Sequence, residues 1–455
     1  MAKSLTREQV ERYEKGIQED PRYRLARNFV SAHDPLEVCA EASVLRSASH
    51  VFAHCIPAEG KPTSNQKNSG RCWIFACLNV MRLPFIKKFN IEDFEFSQTY
   101  LFFWDKVERC HYLLRALVET AQRGEAADGR LVQFLLSNPC NDGGQWHMLV
   151  NLIEKYGVMP KKNYPECHTS EASRRMNEIL NHKMREYCLR LRKMVDKGSG
   201  TEEIDQEIDI MVEEVYRVVS ICLGCPPSSF TWDYKDKEKA FHSLGPLTPL
   251  HFYQQHVKPL YDVATKVCLV NDPRPHHQFG RLYTVEFLGN VVGGQRTVYV
   301  NQPAQLLKSL AAASIRSGEA VWFGCDVGKH FHGKLGIHDM NLYNHELVFG
   351  VSVKSMTKSE RLIYGDSLMT HAMVLTAYSD TEGKEGAEYE KWRVENSWGD
   401  DRGCKGYLSM CDTWFSEFVY EVVVDRSLCP EAVLEVLSQE PHVLPAWDPM
   451  GALAS

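Results

Sequence analysis

Seven residues, Gln66-Lys67-Asn68-Ser69-Gly70-Arg71-Cys72, run straight into the apolar stretch Trp73-Ile74-Phe75, and this junction constrains the fold more than any other. Pro, Gly, Ser, Asn and Lys dominate residues 57–68, so the chain arrives as loop and becomes helix at Cys72. The thiol then stands in a helix's first turn, where the peptide dipoles favour negative charge. Two pieces lie far downstream. His371-Ala372 opens an apolar strand, and Asn396-Ser397-Trp398-Gly399 closes another. A fold that uses these pieces together has to set an early helix against late strands.

The rest of the chain has the elements for that. Residues 1–60 read mostly as helix, with Thr6 or Ser4 able to cap 7–18. The helix from Cys72 is expected to kink or end at Pro84. Residues 97–106, 112–122 and 145–156 are further helical candidates. Between 169 and 223, Met176, Leu180, Met184, Tyr187 and Leu191, then Ile204, Ile208, Met211 and Val215, keep helical spacing on either side of Lys197-Gly198-Ser199-Gly200. This predicts a helical hairpin that packs on the body or on another subunit. From about residue 250 the chain turns β-rich, with runs at 282–288, 297–300, 320–327, 370–378, 392–395, 406–410 and 419–424 and one helix at 303–316. A small antiparallel barrel or sheet is expected there. A short helix at 431–438 precedes an extended tail with three prolines.

The fold class that follows is α+β. Its expected parts are an N-terminal helical segment (1–60), a helical lobe (61–168), a helical-hairpin insertion (169–235), a β-rich lobe (236–428) and a C-terminal arm (429–455).

The motifs carry the parts of thiol-dependent acyl transfer. Cys72 is the nucleophile, and a nearby imidazole activates it as an ion pair. His371 begins an apolar strand, where a basic ring has no packing reason to be. Asn396 can accept from that ring and fix its tautomer, while Trp398 shields the bond from water. Gln66 is a neutral amide able to donate to an oxyanion, and the Cys72 amide is a second donor, free in the helix's first turn. Gly70 lets the chain turn tightly, and Trp73, apolar and next to the thiol, is a supporting residue.

Those segments resemble the papain-like cysteine peptidases. The likeness rests on Gln66, Gly70-Arg71-Cys72-Trp73-Ile74-Phe75, Phe96-Ser97-Gln98-Thr99-Tyr100-Leu101, Asn141-Asp142-Gly143-Gly144, His371-Ala372 and Asn396-Ser397-Trp398-Gly399. It implies a two-lobe fold, with the backbone of Asn141, Asp142, Gly143 and Gly144 pairing with extended substrate. Secreted members bridge a cysteine at the position of Ser69 to one beside that loop, so Cys140 is left without its partner. The length, that departure and the ending Leu444-Pro445-Ala446-Trp447-Asp448-Pro449-Met450-Gly451-Ala452 resemble the family's cytosolic aminopeptidases. This implies a homohexamer with active sites facing a channel. It also implies an arm lying in the cleft, with the terminal carboxylate at Ser455 meeting the substrate's free amine. Substrates would be peptides and small amides with a free amine, with no cofactor and no metal. An open-cleft endopeptidase or acyl transferase is the alternative.

Composition bounds the rest. A formal charge of −7 argues against constitutive nucleic-acid binding. Lys183, Arg185, Arg190, Arg192, Lys193 and Lys197 do crowd one helix, so nucleic acid or acidic peptides stay open, in the extreme as a nucleic-acid-binding hexamer. No run approaches the roughly 18 apolar residues that span a bilayer, and the start lacks a secretory signal, so a cytoplasmic location is expected. The fifteen cysteines lack a disulfide rhythm, and the isolated Cys222-Leu223-Gly224-Cys225 has no second pair to make a metal site.

Overall fold

The helix that begins at Cys72 is apolar on every side, and in the computed structural model it is buried on every side. The model describes residues 4–381 and 388–454. Cys72–Phe89 packs against the strand His371–Asp380 and the helix Gln98–Gln122. Pro84 neither ends the helix nor closes its last turn; Asn90 does, in the left-handed region at φ 51°. A mid-helix proline costs about 3 kcal/mol. Burial of fourteen of the helix's residues offsets that cost.

Two expected helices, 97–106 and 112–122, are one. Ser97 Oγ accepts from the Tyr100 N–H at 3.1 Å and starts Gln98–Gln122. The charges that seem to interrupt the pattern are buried and paired: Arg109 binds Asp105 at 3.0 Å, and Glu108 takes the Lys155 ammonium. The helices Arg174–Asp196 and Thr201–Leu223 form the expected hairpin, which lies on Gln98–Gln122 with Met176, Leu180, Met184, Ile204, Ile208 and Met211 turned inward. Four of the six basic side chains clustered on the first of these helices are engaged within the protein. Lys183 meets Glu186, Arg190 meets Glu207, and Arg185 and Arg192 reach the carbonyls of Leu136 and Glu125.

The sheet is larger than expected and not wholly antiparallel. Twelve strands join, with Lys266–Val270, Val419–Asp425, Val321–Cys325, His371–Asp380 and Tyr389–Glu395 side by side at its centre. Three pairs are parallel: Lys266–Val270 with Val298–Asn301, Arg281–Val285 with His442–Leu444, and Tyr407–Cys411 with Ile337–His338. Their partners meet only after long connections, which alternation along one strand does not reveal.

One continuous core runs from the Cys72 helix through the sheet to the tail. Trp322 Nε1 donates to the Trp73 carbonyl at 3.2 Å, and Arg82 reaches Glu395 at 2.7 Å with both side chains buried. Thr6 caps Arg7–Glu19 in a capping box with Gln9, leaving Leu5, Val10, Tyr13 and Ile17 exposed. No helix among the described residues is long and apolar enough to cross a membrane.

Candidate active site

The early helix and the late strands meet where the motifs require. Cys72 opens its helix with no side-chain cap, and the Cys72 and Trp73 N–H groups turn to the thiol while that of Ile74 bonds the Arg71 carbonyl at 3.0 Å. The Ala372 N–H, next to His371 at the head of its strand, points to Cys72 Sγ at 3.4 Å. His371 Nε2 lies 2.9 Å from Asn396 Oδ1, which holds the tautomer with its proton on Nε2. The Trp398 ring covers the imidazole with centroids 4.8 Å apart. Cys72, His371 and Asn396 are all buried.

Gln66 joins the two halves of the site. Its Oε1 accepts from Ser397 Oγ at 2.6 Å, its backbone N–H reaches the Ser397 carbonyl, and its Nε2 donates to the Ser69 carbonyl at 2.6 Å. An amide nitrogen has two hydrogens, so one donor remains. The left-handed residue of this loop is Lys67, at φ 53°, rather than Gly70. Gly70 instead gives its N–H to Asp142 Oδ2 at 3.1 Å.

Residues 140–144 lie beside this loop. A Cβ at Gly144 would stand 2.6 Å from the Trp73 ring, which is why glycine is needed. Asn141 Oδ1 accepts from the Gly143 N–H. The carboxylate of Asp142 is buried and bound within the protein. The tail arrives here as well: Gly144 N–H donates to the Ala454 carbonyl at 3.1 Å in an antiparallel bridge, and Gln145 Nε2 reaches the Ala452 carbonyl. Upstream, Asp448 is gripped by Arg274 at 2.7 Å, and Trp447 lies under the Arg130 guanidinium. Ser455 lies outside the described residues.

Burial disfavours each charge of the Cys–His pair taken singly. It pushes the Cys72 thiol up to about 12, against the Ala372, Trp73 and Cys72 N–H groups that favour the thiolate. It pushes the His371 ring down to about 4, against the Asn396 carbonyl that favours the cation. Cys140 is not isolated: Cys110 Sγ lies 3.5 Å from its sulfur. All fifteen cysteines are free thiols. Among the described residues no cluster of metal ligands occurs.

Sequence reasoning missed Lys106, Arg109, Ser173, Asn177 and Arg274. Asp105, Lys106 and Arg109 were signalled as charges inside a run of Leu, Phe, Val and Tyr. A buried ammonium demands a carboxylate or carbonyls, so their presence implies a hidden partner.

Known proteins share this arrangement of chain. Residues 4–451 match the model of the Peptidase C1-like family. Bleomycin hydrolase of Gallus gallus is 65% identical over 453 residues, covering 100% of this chain and 99% of that one. The Homo sapiens bleomycin hydrolase is 63% identical over 450 residues, with 99% of each chain covered. Aminopeptidase C of Listeria monocytogenes is 38% identical over 454 residues, covering both chains fully. The crystal structure of PepW from Lactobacillus rhamnosis superposes with a TM-score of 0.94 at 40% identity, again over the whole of both chains.

Proposed function

The chain belongs to the Peptidase C1-like family, and from that premise we propose a thiol aminopeptidase that removes residues from the free N-terminus of peptides. Bleomycin-like amides with a free amine near the bond are substrates by the same geometry. The observation that carries this reading is the tail's antiparallel pairing with Gly144, beside Cys72, His371 and Asn396. An extended segment on that backbone occupies the place where residues upstream of the cleaved bond would lie in an open cleft. Room then remains for little more than one substrate residue, so a free N-terminus is accepted and a longer or blocked one is excluded.

The roles follow from the chemistry. Proton transfer from Cys72 to His371 gives the thiolate, which attacks the carbonyl carbon of the first amide. The Cys72 N–H and the free Gln66 N–H stabilise the oxyanion. His371, oriented by Asn396 under Trp398, returns the proton to the departing amine. Water, giving its proton to His371, then hydrolyses the thioester. No cofactor enters these steps.

The two-lobe, papain-like reading assigns 61–168 and 236–428 to the lobes, 1–60 to a segment packed on them, 169–235 to the insertion and 429–455 to the arm. The chain is read as a homohexamer, and exposed apolar side chains at Leu347, Phe349, Val351, Val353, Ile363 and Tyr364, with those of the first helix, support self-association. The free thiols support a cytoplasmic location.

The reading is tested with an aminoacyl arylamide and an irreversible thiol-directed epoxide. Turnover should stop when about one equivalent per chain has reacted at Cys72, and Cys72→Ala should show none. Turnover that survives the substitution refutes the assignment.

A further inference from the structure

Residues 140–144 owe their shape to donors that reach them from buried positions. The Lys106 ammonium, fully buried, donates to the carbonyls of Cys140 at 2.6 Å and Asn141 at 3.1 Å. Trp73 Nε1 takes the Asp142 carbonyl at 2.7 Å, and Arg109 takes that of Gly143 at 2.7 Å. Four consecutive carbonyls are thus held from within, and the Gly144 N–H pairs with the extended tail.

One carboxylate ties this loop to the thiol. Asp142 Oδ1 accepts from Lys106 at 2.7 Å and from Asn177 Nδ2 at 2.7 Å, while Oδ2 accepts from Ser173 Oγ and from the Gly70 N–H at 3.1 Å. Gly70 precedes Cys72 by two residues, and Ser173 and Asn177 belong to the start of the helical insertion. Hydrogen bonds to an ionised acceptor are the stronger ones, and a buried carboxylate with four donors has little freedom to move.

We propose that Asp142, held by Lys106, is a positioning residue that sets the distance between the Gly144 backbone and the Cys72 thiol. The insertion, through Ser173 and Asn177, is then part of the active site's scaffold. The inference rests on the thiol aminopeptidase reading above. A displacement of about 1 Å between a reacting group and its substrate costs on the order of a hundredfold in rate, so loss of this register is read in turnover.

Two full-length variants test it. Asp142→Asn keeps the shape and removes the charge. Asp142→Ala combined with Lys106→Met removes both charges, so no unpaired ammonium is left to unfold the loop. Each protein is titrated with the epoxide so that rates refer to reactive Cys72 sites. Turnover of an aminoacyl arylamide, which relies on the tail docked on Gly144, is then compared with alkylation of Cys72 by iodoacetamide, which does not. The expected result for the double variant is a fall in kcat/KM of about thirtyfold or more per site, with alkylation within about threefold of wild type. Asp142→Asn should fall between the two. Unchanged turnover per site would make the pair merely structural and overturn the proposal. Equal losses of turnover and alkylation would also overturn it, because the carboxylate would then act on the thiol's ionisation. A wild-type chain without turnover overturns the aminopeptidase reading itself, an outcome separable from a defect confined to the variants.

Discussion

Between a thiol that burial pushes up to about 12 and a ring that burial pushes down to about 4, Cys72 and His371 together hold one proton over most of the pH range. A second proton enters the pair in acid and gives thiol plus imidazolium, which cannot form the thiolate. The Asn396 carbonyl favours the protonated ring, so Asn396→Ala lowers the ring's pKa further. The acid limb of kcat/KM should therefore move to lower pH, while kcat drops roughly tenfold or more as the ring loses its orientation. A limb that moves upward contradicts the role given to Asn396. A second buried acid lies away from these steps. Burial raises the Glu421 carboxyl to about 8 from an ordinary 4.5, beside Cys268. Between those values the folded state keeps a proton that the unfolded chain has lost, so this group's contribution to stability falls as pH rises from about 4.5 to 8. Glu421→Gln should raise the melting temperature at pH 8 by a few degrees and change it less at pH 5. Equal shifts at both values would show that Glu421 is not held protonated.

Among the elements, the tail behaves as a docked strand and turn rather than a loose end. His442–Leu444 pairs with Arg281–Val285, Arg274 grips Asp448, and Ala454 reaches Gly144. Asp272 completes the anchor. Burial raises its carboxyl, but the bonds from His277 and Arg274 overcome that and bring it down to about 2. Arg274→Ala leaves the buried Asp448 without its cation and Asp272 with His277 alone, a change worth roughly 3 kcal/mol or more at the anchor. Loosening of the tail should let N-acetylated peptides enter, and their cleavage, predicted to be negligible in wild type, should become measurable by product chromatography. Continued exclusion of acetylated peptides would mean that the tail is held elsewhere. Legibility divided along these lines. That Cys72, His371 and Asn396 come together could be read because the chemistry restricts residue type and each flanking segment announces helix or strand. The anchor Arg274 and the clasp of Lys106, Asp142 and Ser173 could not, because their partners are distant in sequence and no local pattern joins them. The helix across Pro84 was hidden for a related reason, since burial on every side overrides a local breaker.

At the scale of the whole molecule, the site exists only where the Cys72 helix meets the central strands. Arg82 and Glu395 fasten that junction one residue before Asn396, with both side chains buried. Arg82→Met should cost about 3–5 kcal/mol, seen as a lower midpoint in urea, with activity and core fluorescence lost together. Loss of activity ahead of unfolding would show that the Cys72 helix and the central strands part before either melts. The parallel strand pairs and the tail likewise belong to this scale, because each joins segments that the chain brings together late. On the proposed reading, the tail turns a thiol peptidase into an exopeptidase. The most direct test is mass spectrometry of the products from one peptide, offered with a free and with an acetylated N-terminus, using Cys72→Ala as the blank. Stepwise loss of single residues from the free form alone is the predicted result. Internal cuts in both forms would contradict it.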